Sequence, residues 1–163
     1  MMQNDNLYFR ELLETDAQRL FEIYSNVTAM RYRETKPMLK IEDSYKMLKR
    51  DAEVKNSGYE FRFGIIEKST NTLIGTIMYQ PVYDKAIIGY SIDEKFWNKG
   101  YVTSALRILI DVLKTKKFII LEAWVKKENI ASVKVLEKND FNLISQTLYP
   151  NSLLFHRKMV DYR

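Results

Sequence analysis

The feature that most limits the folds open to this chain is a change of period between residues 86 and 125. Ala86 to Ile92 reads as a strand, a loop with one glycine follows, and Val102, Ala105, Leu106, Leu109, Ile110 and Leu113 then recur at helical spacing. Phe118 to Val125 is a nearly continuous apolar run, the pattern of a buried strand in a parallel sheet. Strand, helix and strand make one crossover unit, so these two strands are expected to lie parallel.

The flanking segments extend this unit. Leu7 to Leu13 is a first strand, and Glu14-Thr15-Asp16 supplies capping side chains and negative charge to a helix carrying Ala17, Leu20, Phe21 and Tyr24. That helix ends near Ser25-Asn26. Beyond Pro37, Ile41, Tyr45, Leu48 and Ala52 mark a second helix that stops by Asn56-Ser57-Gly58. Tyr59, Phe61, Phe63 and Ile65 alternate as a strand does, and a polar turn leads to Leu73 to Tyr79, so the two form a hairpin that Ala86 to Ile92 extends into an antiparallel meander. A short helix from Asn129 to Asn139 and two strands, Phe141 to Tyr149 and Leu153 to Val160, follow the crossover. The order is β-α-α-β-β-β-α-β-α-β-β, an α/β chain with a mixed sheet, and 163 residues suit one domain over 1–163.

Composition removes several kinds of chemistry. Without cysteine there is no disulfide, thiolate nucleophile or Cys-ligated zinc, and His156, the single histidine, argues against a metal site. The net charge of +5 favours a polyanionic partner, a class that includes phosphorylated cofactors. Basic residues alternate with acidic ones and no nucleic-acid motif is present, so nucleic acid is not the expected partner. No apolar run approaches the ~20 residues of a membrane span, and the polar start at Met1 to Leu7 lacks an export signal, so a cytoplasmic protein is expected.

Two segments can carry chemistry. Phe96 to Ala105 opens the periodic helix, where unpaired N–H groups and the helix dipole favour an anion, Gly100 permits close backbone approach and Lys99 adds a cation. Gly100 as a plain turn residue and Lys99 as a solvated charge weigh about equally on these residues alone. In the second segment, Asn129 to Phe141, Asn129 reads most simply as an N-cap, Ser132 as a solvent-facing hydroxyl and Lys138 as a charge near a helix C-terminus.

Taken together and in this order, the two segments resemble the GNAT acetyltransferases, especially the RimJ/RimL-type ribosomal-protein N-terminal acetyltransferases. The resemblance spans nearly the whole chain, from Leu7-Tyr8-Phe9-Arg10-Glu11-Leu12 through Ile74-Gly75 and Ile88-Gly89-Tyr90-Ser91-Ile92. Trp97-Asn98-Lys99-Gly100-Tyr101-Val102-Thr103 is similar to the family's pyrophosphate loop, and Asn129 to Lys138 with Phe141 to its N-x-x-S…E-K-x-G-F segment. The resemblance implies the GNAT acyl-CoA N-acyltransferase fold, acetyl-CoA as cosubstrate and no metal. It implies that main-chain N–H groups from Asn98 to Ser104 hold the pyrophosphate, and that Tyr90 and Ile92 pair their main chains with the pantetheine arm in a wedge between splayed strands. Asn129 and Ser132 would line the wedge, Lys138 would approach the nucleotide end, Ser132 would protonate the leaving thiolate, and the N–H near Tyr90 would stabilise the oxyanion.

The departures from the family pattern bear on catalysis. Val102 stands where a small residue is usual in the loop, and Asp140 replaces the glycine before Phe141. Ile87 occupies the position of a general-base glutamate, Leu136 that of a tyrosine acid, and Ser104 that of another glutamate. An α-amine with a pKa near 8 is already ~10% neutral at pH 7, whereas a lysine at ~10.4 costs ~4.6 kcal/mol to deprotonate. A small-molecule or peptide acceptor with a low-pKa amine is therefore expected, entering near Ser25 to Lys40 and Tyr149 to Leu153. Glu34 is expected to pair with Arg31, Arg33 or Lys36 rather than to draw in the amine. A catalytically silent acetyl-CoA-binding or protein-binding module is the competing reading, and the resemblance allows a monomer or a homodimer.

Overall fold

Seven strands form one sheet in the order β1-β2-β3-β4-β5-β7-β6. The computed structural model describes residues 2–145 and 151–159. The strands are β1 (Leu7–Arg10), β2 (Phe61–Glu67), β3 (Thr72–Val82), β4 (Lys85–Ile92), β5 (Ile120–Lys126), β6 (Asn142–Ser145) and β7 (Ser152–Lys158). The helices are α1 (Ala17–Tyr24), α2 (Val27–Met30), α3 (Glu42–Asn56), α4 (Tyr101–Lys114) and α5 (Ile130–Lys138). Every pairing is antiparallel except β4 with β5, the crossover pair, which is parallel as its period change requires.

Each face of the sheet has its own apolar layer. Ala105, Leu106, Leu109 and Leu113 of α4 pack with Ile77, Tyr79, Ala86, Ile88 and Leu121 on one face. Leu20, Ile23 and Tyr24 of α1 pack with Ile66 and Leu73 on the other, where Met47 and Leu48 of α3 add cover. Because side chains alternate along a strand, Ile88 and Tyr90 face α4 while Ile87, Gly89 and Ser91 face the α1 side.

Several boundaries differ from the sequence reading, three of them for an identifiable local reason, and Val160 of the last expected strand lies outside the described residues. β1 stops at Arg10, not Leu13, because the Asp16 carboxylate accepts the Leu13 N–H and two bonds from the Arg10 guanidinium, which folds the chain into a 3-10 turn at Glu14–Asp16. Burial pushes the Asp16 carboxyl up, and these bonds more than reverse it. Asn26, expected at a helix end, instead caps the further turn α2 by accepting the Ala29 N–H. The strand expected over 141–149 begins at Asn142 after Asp140 turns the chain at φ 62°, and its part from 146 to 149 lies outside the described residues.

Gly75 fixes how closely β3 approaches β4. A Cβ there would stand 2.3 Å from the Ser91 carbonyl oxygen and 2.9 Å from the Ile92 Cα, both backbone atoms. Gly75→Ala is expected to cost about 1–3 kcal/mol as an overpacking change, read as a lower midpoint in thermal or denaturant unfolding.

Candidate active site

The parallel pairing of β4 with β5 runs only from Lys85↔Ile120 to Ile88↔Ala123. Beyond it β4 continues against β3 to Ile92, and β5 continues against β7 to Lys126. The two strands therefore part, and their facing edges open into a cavity of about 640 Å³ closed at the sides by α4, α5 and the segment after α2. Backbone groups on such edges need partners from side chains, water or a ligand.

Two carbonyls on the β4 edge have side-chain partners. Arg33 Nη1 donates to the Tyr90 carbonyl at 3.1 Å, and the Trp97 indole Nε1 donates to the Ile92 carbonyl at 3.0 Å. A strand residue directs its N–H and C=O to the same side, so the Tyr90 and Ile92 N–H groups also face the wedge. The position expected to pair with pantetheine is thus an open strand edge, with the Ile92 carbonyl already engaged by Trp97.

The loop entering α4 is shaped by two left-handed residues, Asn98 at φ 59° and Gly100 at φ 77°. A Cβ added to Gly100 meets nothing within 4 Å, so the backbone borders open space where an anion can approach. Trp97, Asn98, Gly100, Tyr101, Val102 and Thr103 line the cavity. Two residues expected to hold the pyrophosphate, Ser104 and Lys99, lie outside the cavity lining. The Ser104 N–H is spent on the Gly100 carbonyl within the first turn, its Oγ accepts from Asn4, and Ser104 is not among the residues that line the cavity. The Lys99 ammonium lies over the Phe96 ring, 5.4 Å from its centroid, and does not line the cavity. Asp93 anchors the loop by accepting from Lys95 N–H and from Arg19 at 2.8 Å.

On the α5 wall, Asn129 caps the helix by accepting the Ser132 N–H at 3.2 Å, and both residues line the cavity, as does Lys138. Strand alternation brings the Tyr90 side chain to the same wall, where its phenol oxygen lies 2.5 Å from Ser132 Oγ. Burial pushes the Tyr90 phenol up to about 12, against a smaller opposite pull from Ser132, so the phenol is protonated across the physiological range. Either oxygen can be the donor; with the phenol donating, the Ser132 hydroxyl is left to donate into the cavity. Tyr90 entered the sequence reading only through its main chain, although its position two residues from Ile88 already placed its ring on the α4 side.

Ile87 and Leu136 place no ionisable group at the wedge, and Leu136 is 1% exposed. In register with Ile87 across the parallel pair stands Glu122, whose oxygens accept from Trp124 Nε1 at 3.0 Å and Lys85 Nζ at 3.3 Å and lie 2.9 Å from His156 Nε2. Burial raises the Glu122 carboxyl, and these contacts together lower it below the usual range. Glu34 pairs with Lys126 at 2.6 Å, not with Arg31, Arg33 or Lys36, because the segment after α2 crosses the wedge to reach β5. Of the expected acceptor entrance, 149–150 lie outside the described residues. No group of three or more metal-ligating side chains occurs among the described residues, and no described helix is long and apolar enough to cross a membrane.

Comparison with known proteins bears on this geometry. Residues 6–142 match the acetyltransferase (GNAT) domain family. The chain is 30% identical over 157 residues to the probable N-acetyltransferase YjcK of Bacillus subtilis, covering 87% of this chain and 83% of that protein. It is 27% identical to the uncharacterized N-acetyltransferase YoaA of the same organism, over 93% of this chain and 89% of the relative. Among solved structures, a GNAT-family acetyltransferase from Bacillus anthracis superposes with a TM-score of 0.85 at 20% identity, over 97% and 98% of the two chains. RimL, a ribosomal L7/L12 α-N-protein acetyltransferase in complex with coenzyme A, superposes at 0.84 and 20% identity, over 96% of each.

Gly100→Asp would place a carboxylate in the open space beside the α4 N-terminus. CoA affinity is expected to fall at least tenfold, about 1.4 kcal/mol, in calorimetric titration, with the variant still folded. Unchanged affinity in the folded variant would take the anion away from this loop.

Proposed function

The chain belongs to the GNAT acetyltransferase domain family, and on that premise we propose that it transfers an acetyl group from acetyl-CoA to a primary amine, the α-amine of a peptide or protein included, within a ternary complex. The observation that carries this reading is the open edge of β4, which ends at one side on the Gly100 turn and at the other on the Tyr90–Ser132 pair. The site fits the cosubstrate on three counts: unpaired edge N–H groups for the pantetheine amides, first-turn N–H groups of α4 beside open space for the pyrophosphate, and a cavity that joins the two. We take the whole of 1–163 as one such domain.

In this reading the bound thioester supplies the activated acetyl group, and the protein orients it. Main-chain N–H groups from Asn98 to Thr103 hold the pyrophosphate, the β4 edge aligns the pantetheine, and Asn129 shapes the wall beside it. The Tyr90 N–H donates to the carbonyl oxygen as negative charge develops there. The Ser132 hydroxyl donates a hydrogen bond to the departing thiolate, while the phenol of Tyr90 donates to Ser132 Oγ and keeps that hydroxyl turned inward. Glu122 already carries three partners, so the proton released by the amine goes to solvent, which favours acceptors whose amine is partly neutral at pH 7. Holding amine and thioester together can supply about 7–11 kcal/mol, more than the 10²- to 10⁴-fold of general acid–base help.

The burial of Leu136 and the lack of an ionisable group at Ile87 also suit a silent acetyl-CoA-binding module. A turnover screen over N-terminal peptides, polyamines, aminoglycosides and amino acids separates the two readings: thiol release with any amine supports the enzyme, and CoA binding without release supports the module.

A thiolate with a pKa near 8.5 needs little proton donation, so the Tyr90–Ser132 pair should contribute modestly. Ser132→Ala and Tyr90→Phe are each expected to lower kcat about 10- to 100-fold with the acetyl-CoA Kd within a few-fold. The double variant should be little worse than Ser132→Ala, since the phenol acts through the hydroxyl. Wild-type kcat in Ser132→Ala would remove the pair from the reaction. With Tyr90 at about 12, the wild-type rate should rise with pH as the amine deprotonates and show no fall from loss of the phenol proton up to about pH 10.

A further inference from the structure

Arg33 offers the cavity an unused edge. Its Nη1 is fixed on the Tyr90 carbonyl and its guanidinium carbon lies 5.8 Å from the centroid of the Tyr24 ring, so the group is held from two sides. Among the described residues its buried Nε has no hydrogen-bond partner, and Nη2 makes no bond. Nε–H and Nη2–H form one side of the planar fork, the side that matches a carboxylate with two parallel bonds. Leaving a buried donor unpaired is costly, and an oxygen brought by a ligand relieves that cost.

The arginines elsewhere make the exception plain. Arg10, Arg19, Arg50, Arg62 and Arg157 each have a carboxylate oxygen at 2.7 to 3.9 Å. Among the described residues Arg31 and Arg33, which line the cavity, have none, and neither does Arg107 on α4. Glu34 is committed to Lys126, and Glu122 on the facing strand to Lys85, Trp124 and His156, while Glu128, the acidic residue in the cavity lining, forms no ion pair with an arginine among the described residues. The segment after α2 thus straddles the wedge, with Arg33 holding β4 and Glu34 holding β5, and the unpartnered Nε of Arg33 sits beside Tyr90, the residue whose N–H the acetyl-transfer reading assigns to the thioester carbonyl. The α4 loop proposed for the pyrophosphate starts beyond Ile92, so the cofactor's own phosphates are placed elsewhere.

We infer that the acceptor carries a carboxylate within a residue's reach of its amine, and that Arg33 is the residue that selects it. This rests on the acetyl-transfer reading above. The carboxylate has two sources of the same chemistry, the α-carboxylate of a free amino acid or the side chain of an acidic second residue in a peptide. In either, the carboxylate on the Arg33 edge orients the amine toward the thioester. Arg31 adds positive charge at the exposed rim.

The test reads binding of product-like probes to CoA-saturated protein by calorimetry, so it does not depend on turnover. N-acetyl-L-alanine is compared with N-acetyl-L-alaninamide, and N-acetyl-Ala-Glu-amide with N-acetyl-Ala-Gln-amide; the first pair tests the α-carboxylate and the second the acidic side chain. In at least one pair the charged probe should bind tenfold or more tightly than its neutral match. Arg33→Met should erase that difference with the CoA Kd within a few-fold, and Arg33→Lys, which keeps the charge but not the fork, should restore part of it. Equal binding within both pairs, no binding by any probe, or discrimination that survives in folded Arg33→Met overturns the inference. Failure of CoA itself to bind removes the acetyl-transfer reading and this inference with it, whereas CoA binding without discrimination removes the inference alone.

Discussion

The structure turns on the point where β4 and β5 cease to pair. Up to Ile88↔Ala123 they form an ordinary parallel ladder, and beyond it each strand is held only by its outer neighbour, β3 on one side and β7 on the other. Unpaired strand edges inside a protein demand partners, and here the demand is met in part by Arg33 and Trp97. The rest is left for something that enters. The apolar layers do not need this opening, since α4 and α1 cover the two faces whether or not the strands part. The wedge is therefore a feature kept in addition to the core, and Arg33 on its wall keeps a buried Nε without a hydrogen-bond partner among the described residues.

The architecture was largely legible in the sequence because it is written in periods. The change from alternation to a helical stripe to an unbroken apolar run fixed β4, α4 and β5 and their parallel relation, and the polar turn at 68–72 fixed the hairpin of β2 with β3. Elements set by single side chains were not legible. α2 exists because Asn26 caps it, and an asparagine after a helix reads equally as an ending. β1 is cut short by Asp16, whose acceptors are taken up by Leu13 and Arg10, an arrangement that requires knowing the path of the chain.

The site was legible where it depends on backbone and obscure where it depends on reach. Gly100 and Asn129 announced a turn and a cap, and the structure places both on the cavity. Lys99 in the loop turns to the Phe96 ring, and Ser104, already in the first turn of α4, spends its N–H within the helix. Arg33 and Glu34 sit in a segment without period, so nothing in the sequence indicated that they bridge to different strands. Their placement follows from α2, which was itself missed.

The absence of an ionisable side chain at Ile87 and Leu136 acquires a physical meaning from these placements. A buried general base is needed when the nucleophile arrives charged and must lose its proton in a dry site. This wedge is instead walled by the Arg33 guanidinium, which has no carboxylate partner among the described residues, and a fixed positive charge disfavours a second one nearby. An amine that enters beside Arg33 is therefore pressed toward its neutral form by the same group that can hold an adjacent anion. Electrostatics of this kind does in the ground state part of what a base does in the transition state, and it favours amines that already ionise near neutrality. The one carboxylate in register with Ile87, Glu122, does not oppose this, because Lys85, Trp124 and His156 occupy it. The chain thus keeps positive charge at Arg33 and a neutral hydroxyl pair on the α5 side, an arrangement that, on the proposed acetyl-transfer reading, suits attack by a neutral amine and departure of an anionic sulfur.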